Sequence, residues 1–182
     1  MNPVLLSLMK HPDREPRLTP EDFKQSGFET YLNETPGYAD ATRAAIELAK
    51  LRGMDLVVAD SDGYHPGAEV ARLARTDFPG MVLPYRRNIG VQSWAYSLLF
   101  SAWTLQRVKD ATGGLYRLSL PLMERLPALK SDDMTVHVEM LKTVQALKSP
   151  LYQYPYDAGK NEKEGSKRTV RYQWKLMGAL FR

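Results

Sequence analysis

The sequence predicts an α/β fold: a mostly parallel central sheet flanked by helices. Short apolar runs of strand length (PVLLSLM, DLVVA, MVLPY) alternate with longer stretches whose apolar residues recur at helical spacing. Helices that carry the chain from one strand to the next are the crossovers a parallel sheet requires. The length of 182 residues, with 43% hydrophobic and 25% charged content, suits one domain large enough to bury about two-thirds of its unfolded surface.

Residues 3–9 (PVLLSLM) form the first predicted strand. HPDREPRLTPEDFKQSG is too rich in proline and charge for a core, and is expected as a loop with a helical turn at 20–24. Over 38–52, Ala41, Ala44, Ala45, Leu48 and Leu51 fall on one helical face, with Asp40 as a candidate start and Gly53 where a C-terminal cap belongs. DLVVA (55–59) reads as a buried strand, 66–75 as a helix after a tight turn, and MVLPY (81–85) as a strand that Pro84 pushes toward a sheet edge. A helix is expected over 91–109, with Trp94, Leu98, Leu99, Ala102 and Leu105 on one face. GLYRLS (114–119) is a candidate strand, followed by a short Pro-led helix; 132–147 is a further helix and LYQYPY (151–156) the last strand. After a charged loop, Val170, Trp174, Met177 and Phe181 form one stripe of a C-terminal amphipathic helix.

Composition narrows the chemistry. The chain has no cysteine, which excludes disulfides, thiolate metal sites and a cysteine nucleophile, and fits a reducing, cytoplasmic setting. A net charge of +4 favours anionic partners such as sugar nucleotides, phosphates or an acidic membrane surface. No basic-aromatic signature of nucleic-acid binding accompanies it, so no nucleic acid is expected. The N-terminus lacks the features of a secretory leader, and the most apolar stretch, 91–105, carries Gln92, Ser93, Ser97 and Ser101 and is shorter than a membrane span.

The chemistry centres on VVADSDGYHP (57–66). Ligands of open α/β sheets sit outside the carboxyl ends of strands, and Asp60 and Asp62 stand at such an end. Carboxylates at i and i+2 can converge on one hard cation, Mn2+ or Mg2+, that keeps positions open for water or phosphate. The alternative is that Asp60 caps the turn while Asp62 is solvated.

The stretch ETPGYADATRAAIELAKLRGMDLVVADSDGYHP resembles the middle of a family 2 glycosyltransferase of GT-A (Rossmann-like) fold, close to dolichol-phosphate-mannose-synthase-like members. GGLYRLSLPLMERLP is similar to the strand-turn segment such enzymes place beneath the acceptor. SDDMTVHVEMLKTVQALKSPLYQYPY is similar to their acidic acceptor-side helix and following strand, and GKNEKEGSKR to their basic loop near the phosphates. The resemblance covers roughly residues 34–182. It implies a single GT-A-like domain over 1–182, with a shortened N-terminal part (1–37) and a basic loop and amphipathic helix at 157–182.

The implied activity is metal-dependent, inverting transfer of a hexose from a nucleotide-sugar donor, a GDP- or UDP-hexose, to a hydroxyl acceptor. By position, Asp60 would help place nucleotide and metal, and Asp62 would ligate the Mn2+ or Mg2+ bridging the diphosphate. Asp133, with Asp132 as the alternative, would deprotonate the acceptor, while Lys167 and Arg168 would neutralise the leaving diphosphate. The sequence departs from the family at its N-terminus, where no acidic base-reading motif is visible, and at Tyr64, where a Gln is common.

Smaller candidates are His65 as a third metal ligand or a packing residue, and His137 or Glu139 facing an acceptor pocket, at most one of them because i and i+2 diverge on a helix. Arg86 and Arg87 could grip an anion or form a solvated turn. Tyr152, Tyr154 and Tyr156 could stack on a ring or simply pack. The C-terminal stripe could dock on the core, on another subunit or at a membrane surface, and a truncated sheet edge would invite homo-oligomerisation. Two rival readings remain: a catalytically weak, glycosyltransferase-like binding protein, and a haloacid-dehalogenase-type phosphatase with Asp60 as nucleophile, Asp62 as acid/base and Asp132–Asp133 as its late acidic pair.

Overall fold

VLLSLM forms strand β1 (Val4–Met9), buried along its whole length, as a strand covered on both faces must be. Its neighbours in the computed structural model, which describes residues 2–11 and 14–159 together with Gly178, explain why. A 3₁₀ helix (Pro20–Ser26), opened by Thr19 and Asp22 in a capping box, leads to β2 (Glu29–Asn33). Helix α1 (Tyr38–Arg52) ends on Gly53 at φ 64, a left-handed conformation that glycine adopts without a Cβ clash. Then follow β3 (Asp55–Asp60), α2 (Gly67–Ala74), β4 (Met81–Val82), β5 (Tyr85–Arg86), α3 (Val91–Thr104), β6 (Tyr116–Leu118), α4 (Leu120–Arg125), α5 (Thr135–Ala146), β7 (Leu151–Tyr152) and β8 (Pro155–Tyr156).

The main sheet has the order β2-β1-β3-β6-β4-β7, and β5 pairs with β8 in a separate two-stranded sheet. All pairings are parallel except those of β6, which runs against β3 and β4. Alternating residues feed two cores. Leu5, Leu56, Val58 and Tyr116 join α1, α4 and α5 on one face, while Leu6, Leu8, Val57 and Ala59 join α2 and the 3₁₀ helix on the other. Each such aliphatic side chain contributes about 1.5–3 kcal/mol by leaving water, which pins the register, since a one-residue slip would exchange the faces.

Several expectations are corrected. Strand β2 was not expected; its sequence ETYLN is polar because it is an edge strand, with only Asn33 buried. Helix α1 is opened by Gly37 rather than Asp40, which instead pairs with Arg43 one turn on. MVLPY and LYQYPY each divide between the two sheets, with Leu83–Pro84 and Gln153–Tyr154 as the crossing residues. Helix α3 stops at Thr104 because Leu105 turns into the left-handed region at φ 53, and α5 starts at Thr135, after Asp132 and Asp133.

The apolar face expected on α3 exists but points outward: Trp94, Leu98, Leu99 and Leu105 are exposed, while Tyr96, Ser97, Phe100 and Thr104 are buried. On the inward face Tyr96 and Phe100 join the core, and the hydroxyls beside them are there for a reason. Ser97 Oγ accepts the Ala111 N–H (2.9 Å) and Ser101 Oγ the Val108 N–H (2.9 Å), so these hydroxyls anchor the returning chain.

Candidate active site

The chain leaves β1 toward β2 on one side of the sheet, and leaves β3 toward β4 on the other. Between the carboxyl ends of β1 and β3 the winding therefore reverses, and such a switch point opens a crevice. Met9 and Asp60 are register partners across it, and the Ser61 N–H donates to the Met9 carbonyl at 3.0 Å. The acidic turn thus sits at the switch point, where open α/β sheets commonly bind their ligands.

Both carboxylates of that turn are positioned. Asp62 Oδ1 accepts the Tyr64 N–H (3.0 Å), and Oδ2 accepts from Arg14 Nη1 (2.8 Å). The loop after β1 is tied down by donation from the Arg17 and Leu18 N–H groups to the Ser61 carbonyl, at 2.7 and 3.0 Å. Asp60 lies against Gly114, where a Cβ would stand 2.6 Å from Asp60 Oδ2; the residue before Leu115 must be small for the carboxylate to hold this place. His65 is buried and shares a 2.8 Å hydrogen bond between Nδ1 and the Tyr156 hydroxyl. Its Nε2 has no hydrogen-bond partner and faces Asp60 Oδ2 at 3.8 Å. His65 Nε2 is thus left open toward the first carboxylate of the turn.

Arg86 and Asp110 form a second charged element, which sequence reasoning missed on the Asp110 side. Arg86 Nε and Nη2 donate to the two Asp110 oxygens at 2.6 and 2.9 Å, Nη2 also donates to Thr112 Oγ1 (2.9 Å), and Nη1 to the Tyr64 hydroxyl (3.3 Å). Burial alone would raise the Asp110 pKa, but the Arg86 guanidinium and the Thr112 donors outweigh it and hold the carboxyl below its ordinary value. Burial likewise opposes the charge on Arg86, and Asp110 more than restores it, raising its pKa. The available signal was DATGG, an aspartate before a turn: Asp110 Oδ1 accepts the Thr112 N–H at 3.2 Å.

Buried polar side chains gather behind Asp60: the Tyr116 hydroxyl is within reach of Thr42 and Tyr38, both ring nitrogens of His137 lack a hydrogen-bond partner, and the Tyr116 and His137 rings lie 5.3 Å apart. Burial lowers the His137 pKa to about 4, although the charges of Asp110 and Asp60 pull it upward. Of the pair weighed on α5, His137 is the one that turns inward. Glu139 instead accepts the Lys130 and Ser131 N–H groups at 2.8 to 3.0 Å. Those donors outweigh burial and lower its pKa.

Asp132 is exposed and Asp133 half-buried just before α5, where Asp133 Oδ1 accepts the Thr135 N–H at 2.9 Å. Lys167, Arg168 and the stripe Val170, Trp174, Met177 and Phe181 lie outside the described residues. The described chain nevertheless leads to the acidic turn, since the Gly159 N–H donates to the Tyr64 carbonyl at 2.9 Å.

The donor set fits a hard divalent cation. Asp60 and Asp62 supply oxygen, and each carboxylate oxygen that accepts a hydrogen bond keeps a second lone pair. Among the described residues no cluster of three or more His, Asp or Glu side chains could enclose a metal.

No protein-family model and no curated protein matches the sequence. Solved structures do match. Glucosyl-3-phosphoglycerate synthase from Mycobacterium tuberculosis, with Mn2+, UDP and phosphoglyceric acid, superposes with a TM-score of 0.68 at 15% identity, covering 99% of this chain and 78% of that one. The fold is the GT-A glycosyltransferase fold. The same synthase with Mn2+, UDP-glucose and glycerol 3-phosphate gives a TM-score of 0.63 at 13% identity, over 99% and 79% of the chains. A mycobacterial protein gives 0.72 at 15% identity, over 99% and 74%.

Proposed function

We propose that this protein is a metal-dependent glycosyltransferase that moves a sugar from a nucleoside-diphosphate sugar to a hydroxyl acceptor. One observation carries the reading: Asp60 and Asp62 stand at the switch point of a sheet whose structural relatives hold Mn2+ with UDP or UDP-glucose. Cleaving the bond between sugar and diphosphate leaves growing negative charge on the diphosphate, which Mn2+ or Mg2+, when bound, would neutralise as a Lewis acid. Asp60 and Asp62 would hold that ion. Arg14, already 2.8 Å from Asp62, is placed to turn toward the diphosphate, with Lys167 and Arg168 as further cations beyond Gly159.

His137 suits a hydroxyl of the bound sugar, because its buried, unpartnered ring nitrogens gain the bonds they lack. A neutral His137 can both donate and accept. Asp133 is the proposed acceptor base, and a base on the face opposite the leaving group makes the transfer inverting. UDP-glucose is the first donor to try, because relatives bind it; GDP-hexoses are the alternative.

A second reading, a binder of nucleotide sugars without turnover, draws on Asp62 being already engaged by Arg14. Turnover separates the two. Release of UDP from UDP-glucose with Mn2+, lost in Asp62→Ala, supports the transferase, while nucleotide binding with no release under any donor or acceptor supports the binder. The configuration of the product, read by NMR, tests inversion, and Asp133→Asn should abolish transfer while sparing donor binding.

A further inference from the structure

The outward face of α3 has no role in that reading. Val91, Trp94, Leu98, Leu99, Trp103 and Leu105 are all large, apolar and exposed, Leu105 by 93% and Val91 by 80%. All but Leu105, which caps its end, sit on a fourteen-residue helix without a single charged residue. Isolated exposed hydrophobic residues are ordinary, but a contiguous set on one helix marks a surface that meets something.

The charges around it indicate what. From Phe78 to Lys109 the sequence contains no Asp or Glu, yet it holds Arg86, Arg87, Arg107 and Lys109. Arg86 is committed to Asp110. Arg87 stands before the helix, paired at 3.3 Å with an exposed Asp157, and Arg107 and Lys109 follow its end. Arg87 and Asp157 balance one another at the start of the helix, which leaves Arg107 and Lys109, after its end, as the cations beside the apolar face. An anionic lipid surface meets that pattern favourably: the two cations attract headgroups, and tryptophans settle at the boundary between headgroup and acyl chain.

We propose that α3 docks this protein on an anionic membrane surface, with Trp94, Leu98, Leu99, Trp103 and Leu105 inserted into the interface. Helix α3 does not span the bilayer: no helix among the described residues is long and apolar enough to cross it. Since Arg86 of the candidate site lies on the strand just before α3, docking brings that rim of the site to the bilayer. The proposal stands apart from sugar transfer, and either can fail alone.

The test is flotation of the full chain with vesicles of phosphatidylcholine, or of phosphatidylcholine and phosphatidylglycerol in equal parts. The expected result is flotation with the anionic vesicles, weakened by salt, with a blue shift in tryptophan emission. Leu98→Glu combined with Trp103→Glu should weaken partition about tenfold or more. The melting temperature should not change, because both side chains are exposed. Absence of flotation with anionic vesicles overturns the proposal. So does flotation that the double variant leaves unchanged, or a dimer in solution that the double variant splits while vesicles are ignored.

Discussion

A Cβ on Gly114 would stand 2.6 Å from Asp60 Oδ2 and 3.3 Å from its Cγ, so the absence of a side chain at 114 sets where the first carboxylate of the acidic turn can lie. The obstructing atom is the end of a flexible side chain. Gly114→Ala is therefore expected to rotate Asp60 away while changing stability by less than about 1 kcal/mol. Mn2+-dependent nucleotide affinity should fall about tenfold or more, measured by calorimetric titration of UDP with and without Mn2+. Unchanged affinity would mean that Asp60 plays no part in holding the ion.

On the proposed function, Arg14 and a divalent cation would compete for Asp62. Removing a positive charge that sits 2.8 Å from the carboxylate should strengthen binding of Mn2+ alone. Arg14→Ala is expected to do so by about threefold to tenfold, since a partly exposed ion pair of this kind is worth on the order of 1 kcal/mol. Free Mn2+ counted by electron paramagnetic resonance reads this out. If the variant binds Mn2+ more weakly, the ion does not use Asp62.

The Arg86–Asp110 pair has side-chain exposures of 12% and 0%, so removing one partner strands a buried charge. Asp110→Asn should destabilise the fold by about 3–5 kcal/mol, seen in urea unfolding at neutral pH. Because the folded Asp110 pKa is depressed, its contribution is fully present above the ordinary carboxylate value of about 3.9. It is lost as pH falls below that value and through the folded pKa. The gap between wild type and Asp110→Asn should therefore stay constant down to about pH 4 and narrow below it.

His137 gives a different window. Its folded pKa, lowered to about 4, lies beneath the ordinary histidine value of about 6.5, so the unfolded chain takes up the proton first. Stability should fall as pH drops from about 6.5 toward 4. His137→Leu should flatten that slope relative to wild type in melting curves taken across the window. An unchanged slope would show that the ring is hydrated and titrates normally.

Much of this was legible in the sequence because burial on both faces leaves a simple mark. VLLSLM is apolar but for Ser7 and LVVA is apolar throughout, and Asp60 and Asp62 follow the second of them, which placed the acidic turn at a strand end. Edge and exposed elements left weaker marks. Strand β2, with Glu29 exposed and Tyr31 half-buried, carries no apolar alternation. The stripe on α3 was visible, but its direction was not, because an apolar stripe ordinarily faces the core. Here Tyr96 and Phe100 reach the core while Ser97 and Ser101 bind the returning loop, and the longer apolar stripe turns outward. Asp110 was missed because its significance lies in Arg86, across a helix and a loop from it, and no spacing rule encodes that contact. Arg14 sits in a stretch that composition alone reads as loop.

The proposed transfer requires a divalent cation held by Asp60 and Asp62 against a diphosphate. Thermal unfolding of the full chain with UDP, with Mn2+ and with both tests this most directly. UDP is expected to raise the melting temperature only when Mn2+ is present, and Asp62→Ala to remove the effect while leaving the unliganded melt nearly unchanged. Stabilisation by UDP that is indifferent to Mn2+ would contradict it, as would a Mn2+-dependent shift that survives Asp62→Ala.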